Sequence, residues 1–289
     1  MGKPAASRAD AVFPSTSGPR LWSALTRRRV VLLAGSAPEA AALADVDLDG
    51  LVRVAINNAW RIRSDFDYVV FPRNFPDENR PPQDYPADLV REVNYLKHVR
   101  SAGGLLFSGS TMAFNAGYWA VRYLTPAMVG FYACDMIYDD KETHFYGKGE
   151  ADPLRGNLTL RSLEAKSARL FAYGLAAGTM VVNFSTRPRS RLVFPRLPLA
   201  AIRQRSPVRR LCSEAVRSME ARRIVATARE IASMEASPPF AADPNDYWSL
   251  VGDETAIAYL DDVDRRWLAI VPEIAALGAA IERGVSGMG

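Results

Sequence analysis

Cysteine and histidine are scarce in this chain: two of each in 289 residues. Cys134 and Cys212 lie far apart with no CxxC partner, which disfavours a zinc site and a disulfide scaffold alike. So few cysteines fit a reduced, cytoplasmic setting. No run approaches the ~20 apolar residues that a membrane-spanning helix needs. The N-terminus lacks the apolar core of a signal peptide. There is no GxSxG elbow, GxGxxG fingerprint or P-loop, so a serine hydrolase is disfavoured and no nucleotide motif stands out alone. Signatures of RRM, KH, zinc-finger and helix-turn-helix modules are missing, and the basic residues lack interleaved aromatics, so no nucleic-acid partner is expected.

What is present is ordinary in amount and uneven in place. Apolar residues make up 48% and charged residues 24% of the chain, as in a soluble globular protein. Its length suits one large α/β domain with an appendage, or two small domains. The net charge is only +4. Yet Lys3, Arg8, Arg20, Arg27, Arg28 and Arg29 crowd the N-terminus against the single acid Asp10, and 203–229 is rich in arginine. A solvated tail and a solvated helix face account for this; so does attraction to a nucleotide, an anionic glycolipid or a membrane surface. Residues 1–28, with their Ser, Pro, Gly and Ala, read as a disordered basic arm.

Alternating patterns follow. Residues 29–34 form a β-branched and Leu run of the buried parallel type. Gly35-Ser36-Ala37-Pro38-Glu39 turns from it into an Ala-rich helical stretch, with Pro near the first helical position. Such a turn aims backbone N–H groups at an anion. Glu39 favours a helix N-terminus but would repel a phosphate set there. Further strands are expected at 52–56, 68–71, 104–107, 127–133 and 180–183, with helices at 88–100, 112–124 and 159–176. Five prolines (Pro72, Pro76, Pro81, Pro82 and Pro86) make 76–86 with its edge an irregular loop. These patterns predict a Rossmann-like α/β domain over 29–200, with a parallel sheet and helices on both faces. A helical C-terminal region over 201–289 follows, with a long helix at 209–236 and one or two more at 246–283.

In an open parallel sheet the ligand lies beyond the carboxyl ends of the strands. Those ends are polar here: Gly35-Ser36, Asn57-Asn58, Arg73-Asn74, Ser108-Gly109-Ser110, Asp135 with the loop carrying His144, and Asn183 with Ser185. Neutral amides and hydroxyls suit a base, a ribose or a sugar. Arg73, Lys148 and Arg155 are candidate phosphate ligands. His144, between Tyr138 and Tyr146, is the candidate general base, since an imidazole titrates near neutral pH. Tyr138 and Tyr146 offer hydroxyls, or serve as packing aromatics. Asp135 suits loop orientation, a ribose or a metal. His98 and Cys134 read as a solvated helix-end residue and a packing thiol.

Taken in order, Gly35-Ser36-Ala37-Pro38, Asn57, Ser108-Gly109-Ser110, Asp135, His144 and Asn183-Phe184-Ser185 make 29–197 resemble the bacterial lipooligosaccharide sialyltransferases that use CMP-sialic acid. The wider group includes flagellin-modifying transferases and 6-hydroxymethylpterin diphosphokinases. The resemblance implies a glycosyltransferase that moves a CMP-linked acidic sugar to a glycan or glycolipid acceptor, with no cofactor required. It implies His144 as the base that deprotonates the acceptor, and Tyr138, with Tyr146, at the departing phosphate. Gly35 and Ser36 would approach the nucleotide, while Asn57, Asn74 and Ser110 would hold it. Two other readings stay open: a diphosphokinase-like phosphoryl transferase with Asp135 and Asp139 on Mg²⁺, and a non-catalytic nucleotide- or glycan-binding module. The C-terminal helices leave open a homo-oligomer contact or a peripheral contact with the inner face of the membrane.

Overall fold

The computed structural model describes Phe13 and residues 29–138, 143–147, 157–240 and 247–286, without the side chains of 203–206. Six parallel strands form one sheet: β1 (Val30–Ala34), β2 (Val52–Ile56), β3 (Tyr68–Val70), β4 (Asp88–Val90), β5 (Met128–Tyr132) and β6 (Met180–Asn183). Their spatial order is β4-β3-β2-β1-β5-β6. The chain walks outward from β1 to β4, then returns to the other side of β1 with β5. The order therefore reverses between β1 and β5, and the crevice beyond their carboxyl ends is the topological switch point. Every residue of β1, β5 and β6 is buried, which is why these segments read as continuous apolar runs.

The expected strand at 104–107 is instead a single helical turn, α2 (Leu105–Ser108). Gly103 and Gly104 both have positive φ and turn the chain, and Ser108 Oγ donates to the Gly104 carbonyl at 2.8 Å. A four-residue apolar run does not by itself separate strand from helix. The missing strand is β4, in the first three residues of what the periodicity assigns to a helix. It pairs with β3 in the register Tyr68↔Asp88 to Val70↔Val90. The helix that follows, α1 (Glu92–Ser101), starts where the Asn94 side chain accepts from the Arg91 N–H at 3.0 Å. The stretch Pro38–Asp45 is a 3₁₀ rather than an α-helix, with Pro38 at its start.

Helix α3 (Met112–Trp119) runs on as a π-turn to Leu124, and α4 (Leu163–Ala177) leads into β6. The expected long helix at 209–236 is two helices, α5 (Arg205–Arg217) and α6 (Met219–Glu235). They break at Ser218, whose hydroxyl caps α6 by accepting from the Ala221 N–H. Helices α7 (Glu254–Ala269) and α8 (Val271–Ser286) complete the C-terminal region. Among the described residues no helix is long and apolar enough to cross a membrane.

The C-terminal helices are fastened to the α/β layer through α4. Arg169 is fully buried and binds Glu235 of α6, the Tyr118 hydroxyl at 2.7 Å and the Ala102 carbonyl at 2.6 Å. Glu235 also accepts from the Trp267 indole at 2.8 Å. A second buried pair, Lys166–Asp264, joins α4 to α7 at 2.8 Å. Phe13 falls in the stretch expected to be a disordered arm, yet it is 1% exposed. It stacks on Trp267 and lies under the Arg169 guanidinium.

Candidate functional site

Beyond the switch point lies a cleft of about 990 Å³. Gly35 and Ser36 form one wall, with Asn57, Arg73 and Asn74 beside them; Ser110, Tyr138 and His144 complete the set of expected residues that line it. Gly35 is there for a packing reason. A Cβ on it would stand 2.2 Å from the Ala133 carbonyl oxygen and 2.6 Å from Cys134 Sγ. Its N–H donates to Tyr132 O, and the Ala37 N–H donates to Ala133 O. With Pro38 lacking an N–H, most of this turn's donors are spent on β5, so the turn is a poorer anion cradle than its sequence suggests.

The backbone around the cleft is held in uncommon conformations. Asn57, Ala133 and Met136 all line it, and all have positive φ (52°, 57° and 55°). Non-glycine residues of this kind concentrate at functional sites, where the surrounding fold must hold them.

His144 sits in a tight turn closed by paired hydrogen bonds between its own backbone and that of Gly147. The Phe145 N–H donates to Ser36 O at 3.0 Å and fastens this turn to the end of β1. Thr143 Oγ1 shares a hydrogen bond with Nδ1 of His144 at 2.8 Å, which orients the ring. Partial burial lowers the His144 pKa, so the imidazole is neutral at neutral pH, as a base must be. Tyr138 lies 6.2 Å from it, centroid to centroid. Tyr146 stacks on the His144 ring at 4.9 Å and is 41% exposed, outside the cleft lining.

Four other expected residues serve the scaffold. Ser108 is buried on α2, and Gly109 (φ 82°) lies where a Cβ would meet Phe114 and Lys166. Asp135 is fully buried; its carboxylate accepts from Asn183 Nδ2 at 3.3 Å and stands 2.6 Å from Ser185 Oγ. Asn183 donates to Ser190 Oγ as well. Neither Asp135 nor Asn183 lines the cleft. Asp135 is thus committed to β6, which makes it a poor Mg²⁺ ligand, and Asp139, Lys148 and Arg155 lie outside the described residues. Among the described residues there is no cluster of three His, Cys, Asp or Glu able to hold a metal.

Glu39 turns away from the cleft. Its Oε1 is 2.6 Å from the same Ser185 Oγ that contacts Asp135, and that oxygen also accepts from the Arg187 N–H. One hydroxyl proton cannot serve two carboxylates, so one of them brings its own. Burial, with Asp135 beside it, raises the Glu39 pKa from its ordinary value, against the Ser185 hydrogen bond and Arg187, which favours a proton there. The carboxyl that would repel a phosphate is therefore aimed elsewhere.

Several lining residues carry no sequence motif. Asn115 is only 3% exposed, and its Nδ2 is held by the Ser110 carbonyl at 3.4 Å. That contact fixes the amide orientation and leaves Oδ1 buried with no partner among the described residues; Asn57 Oδ1 is in the same state. A single amide inside an otherwise apolar helix is the signal that could have marked Asn115. Ser110, Asn157 and Thr159 form a closed knot with Oγ–Oγ1 at 2.7 Å and Nδ2–Oγ at 3.1 Å. Arg100 joins Arg73 in the lining, and among the described residues no carboxylate pairs with either guanidinium; Glu92 lines the cleft as well, and its carboxylate accepts from the Arg73 backbone N–H at 3.2 Å. Tyr247 and Trp248 reach the same cleft from the C-terminal region.

No protein-family model, no curated protein and no solved structure matches this chain.

Proposed function

We propose that the chain is a nucleotide-dependent glycosyltransferase that moves a CMP-linked acidic sugar to a glycan or glycolipid acceptor. One observation carries this reading: an oriented imidazole, its pKa lowered by burial, shares a switch-point cleft with buried amide oxygens that have no partner, and guanidinium groups that meet no carboxylate, among the described residues. The amide oxygens suit the amino and hydroxyl donors of a nucleoside, and the guanidiniums suit its phosphate. In the reaction, His144 takes the proton of the acceptor hydroxyl. The acceptor oxygen bonds to the anomeric carbon as the bond from that carbon to the phosphate oxygen breaks. The electron pair leaves with CMP, whose phosphate meets Tyr138 and Arg73.

The test has two stages. A thermal-shift panel of CMP, UDP, GDP, ATP and pterin is expected to raise the melting temperature most with CMP. Transfer from a CMP-linked acidic sugar is then expected to fall about 10²–10⁴-fold in His144→Ala. Because burial lowers the His144 pKa, the acid limb of the transfer rate should have its midpoint below pH 6.5. Undiminished transfer in His144→Ala removes the base; a response to pterin or ATP alone, with Mg²⁺ dependence, returns the reaction to phosphoryl transfer.

A further inference from the structure

Packing accounts for little of the placement of Trp248. It is 66% exposed, although it belongs to the cleft wall. Its short helical turn, Tyr247–Leu250, is anchored by its own buried residues and by the cap that follows it. Tyr247 and Leu250 are buried beneath it, and Asp253 caps the next helix by accepting from the Ala256 N–H at 3.0 Å. Tyr247 braces the indole, with the rings tilted at 4.7 Å. The turn packs on Leu158–Leu160, which carries Thr159 of the Ser110–Asn157–Thr159 knot. An aromatic braced by a neighbouring ring and left exposed in a cleft wall has apolar surface ready for a ring-shaped ligand.

From this placement we infer that Trp248 is the acceptor platform: the apolar C–H face of an acceptor sugar stacks on its indole. The inference rests on the glycosyltransferase reading above and adds the second substrate to it. The nucleotide is expected at the strand ends beside Gly35 and Asn57, whereas Trp248 comes from an element outside the sheet. The cleft volume of about 990 Å³ lies at the upper end of what one small ligand needs, roughly 300–1,000 Å³. There is space for a donor and an acceptor together. Thr111, also in the lining, accepts from the Phe114 N–H and keeps its hydroxyl proton to donate to a sugar oxygen.

The experiment uses the full chain as wild type, Trp248→Ala and Trp248→Phe. Retention on an array of immobilised oligosaccharides is measured with saturating CMP, alongside CMP affinity by calorimetry and sedimentation with anionic phospholipid vesicles. The expected result is glycan retention by wild type and Trp248→Phe and a loss of about tenfold or more in Trp248→Ala, with CMP affinity unchanged. The exposed side chain makes misfolding of either variant an unneeded explanation, and the CMP titration checks it. Glycan retention by Trp248→Ala equal to wild type overturns the platform, as does wild type that binds CMP and no glycan. Equal weakening of CMP assigns the indole to the nucleotide, and loss confined to vesicles assigns it to lipid; both overturn it. Trp248-dependent glycan retention with no nucleotide bound leaves the platform standing and sinks the nucleotide reading alone.

Discussion

Arg169 and Asn115 are both buried polar side chains, and their surroundings differ in kind. Arg169 spends its donors on Glu235, Tyr118 and Ala102, and Glu235 takes a further donor from Trp267. Burial works against the charge, but Glu235 outweighs it and the arginine is held more firmly protonated than usual. Asn115 has its amide nitrogen anchored and its oxygen buried without a partner among the described residues. The first network closes on itself and joins two layers of helices. The second is left open toward a cleft. A fold that satisfies its polar groups with care in one interior and leaves them unmet in another marks the second as a place for something else.

The largest expected effect breaks the closed network. Glu235→Ala strands a buried guanidinium and should cost about 3–5 kcal/mol of stability, read from the urea midpoint. The double variant Arg169→Met/Glu235→Leu should cost less than that single change, because no unpaired charge remains. A Glu235→Ala variant within about 1 kcal/mol of wild type would mean water reaches Arg169 and the contrast is overstated.

Next in size is Gly35→Ala. Its methyl would press on the Ala133 carbonyl, backbone against backbone, and the β1 and β5 ends would have to part. Overpacking of this kind costs about 1–3 kcal/mol. Nucleotide affinity should fall with stability, since Ser36 and Ala133 share the same wall of the cleft. Unchanged affinity at lowered stability would place the nucleotide away from the switch point.

Asn115→Leu separates the two regions most cleanly. It removes an unpaired buried acceptor, so stability should hold or rise slightly. CMP affinity should fall about tenfold, as for the loss of roughly 1.4 kcal/mol of hydrogen bonding. A loss of stability like that of Glu235→Ala would show the amide to be part of the scaffold.

The sequence carried the sheet well where a strand is wholly buried: β1, β5 and β6 are continuous apolar runs and are strands within a residue or so of expectation. It failed at the sheet edge. Asp88–Val90 is too short to have a period, while 104–107 is as apolar as a strand but begins at two glycines. For the cleft, polar residues after buried runs were visible, so Gly35, Ser36, Asn57, Arg73, Asn74 and His144 could be named. Which polar residue faces ligand and which braces the fold was not visible. Asp135, Asn183 and Ser108 have the same residue types and positions as true lining groups, and only their hydrogen-bond partners separate them. Arg100 and Trp248 arrive from a helix and a turn distant in sequence, so no local pattern points to them, whereas Asn115 is marked only by being the one amide of an apolar helix.

Glu39→Gln tests the smallest difference, at the border between the two regions. Glu39 shares Ser185 Oγ with Asp135 and is held above its ordinary pKa, first by burial. A carboxyl whose folded pKa is raised adds stability that is complete below its unfolded value, 4.5, and is lost as pH rises through the folded value. Glutamine keeps a donor for Ser185 at every pH. The variant should therefore match wild type near pH 4 and exceed it by up to about 1 kcal/mol at pH 8, measured as urea midpoints across that range. Arg187, 3.5 Å from Glu39, pulls the other way. If wild type proves the more stable at pH 8, that ion pair wins, Glu39 is ionised, and the proton that joins it to Ser185 and Asp135 is not there.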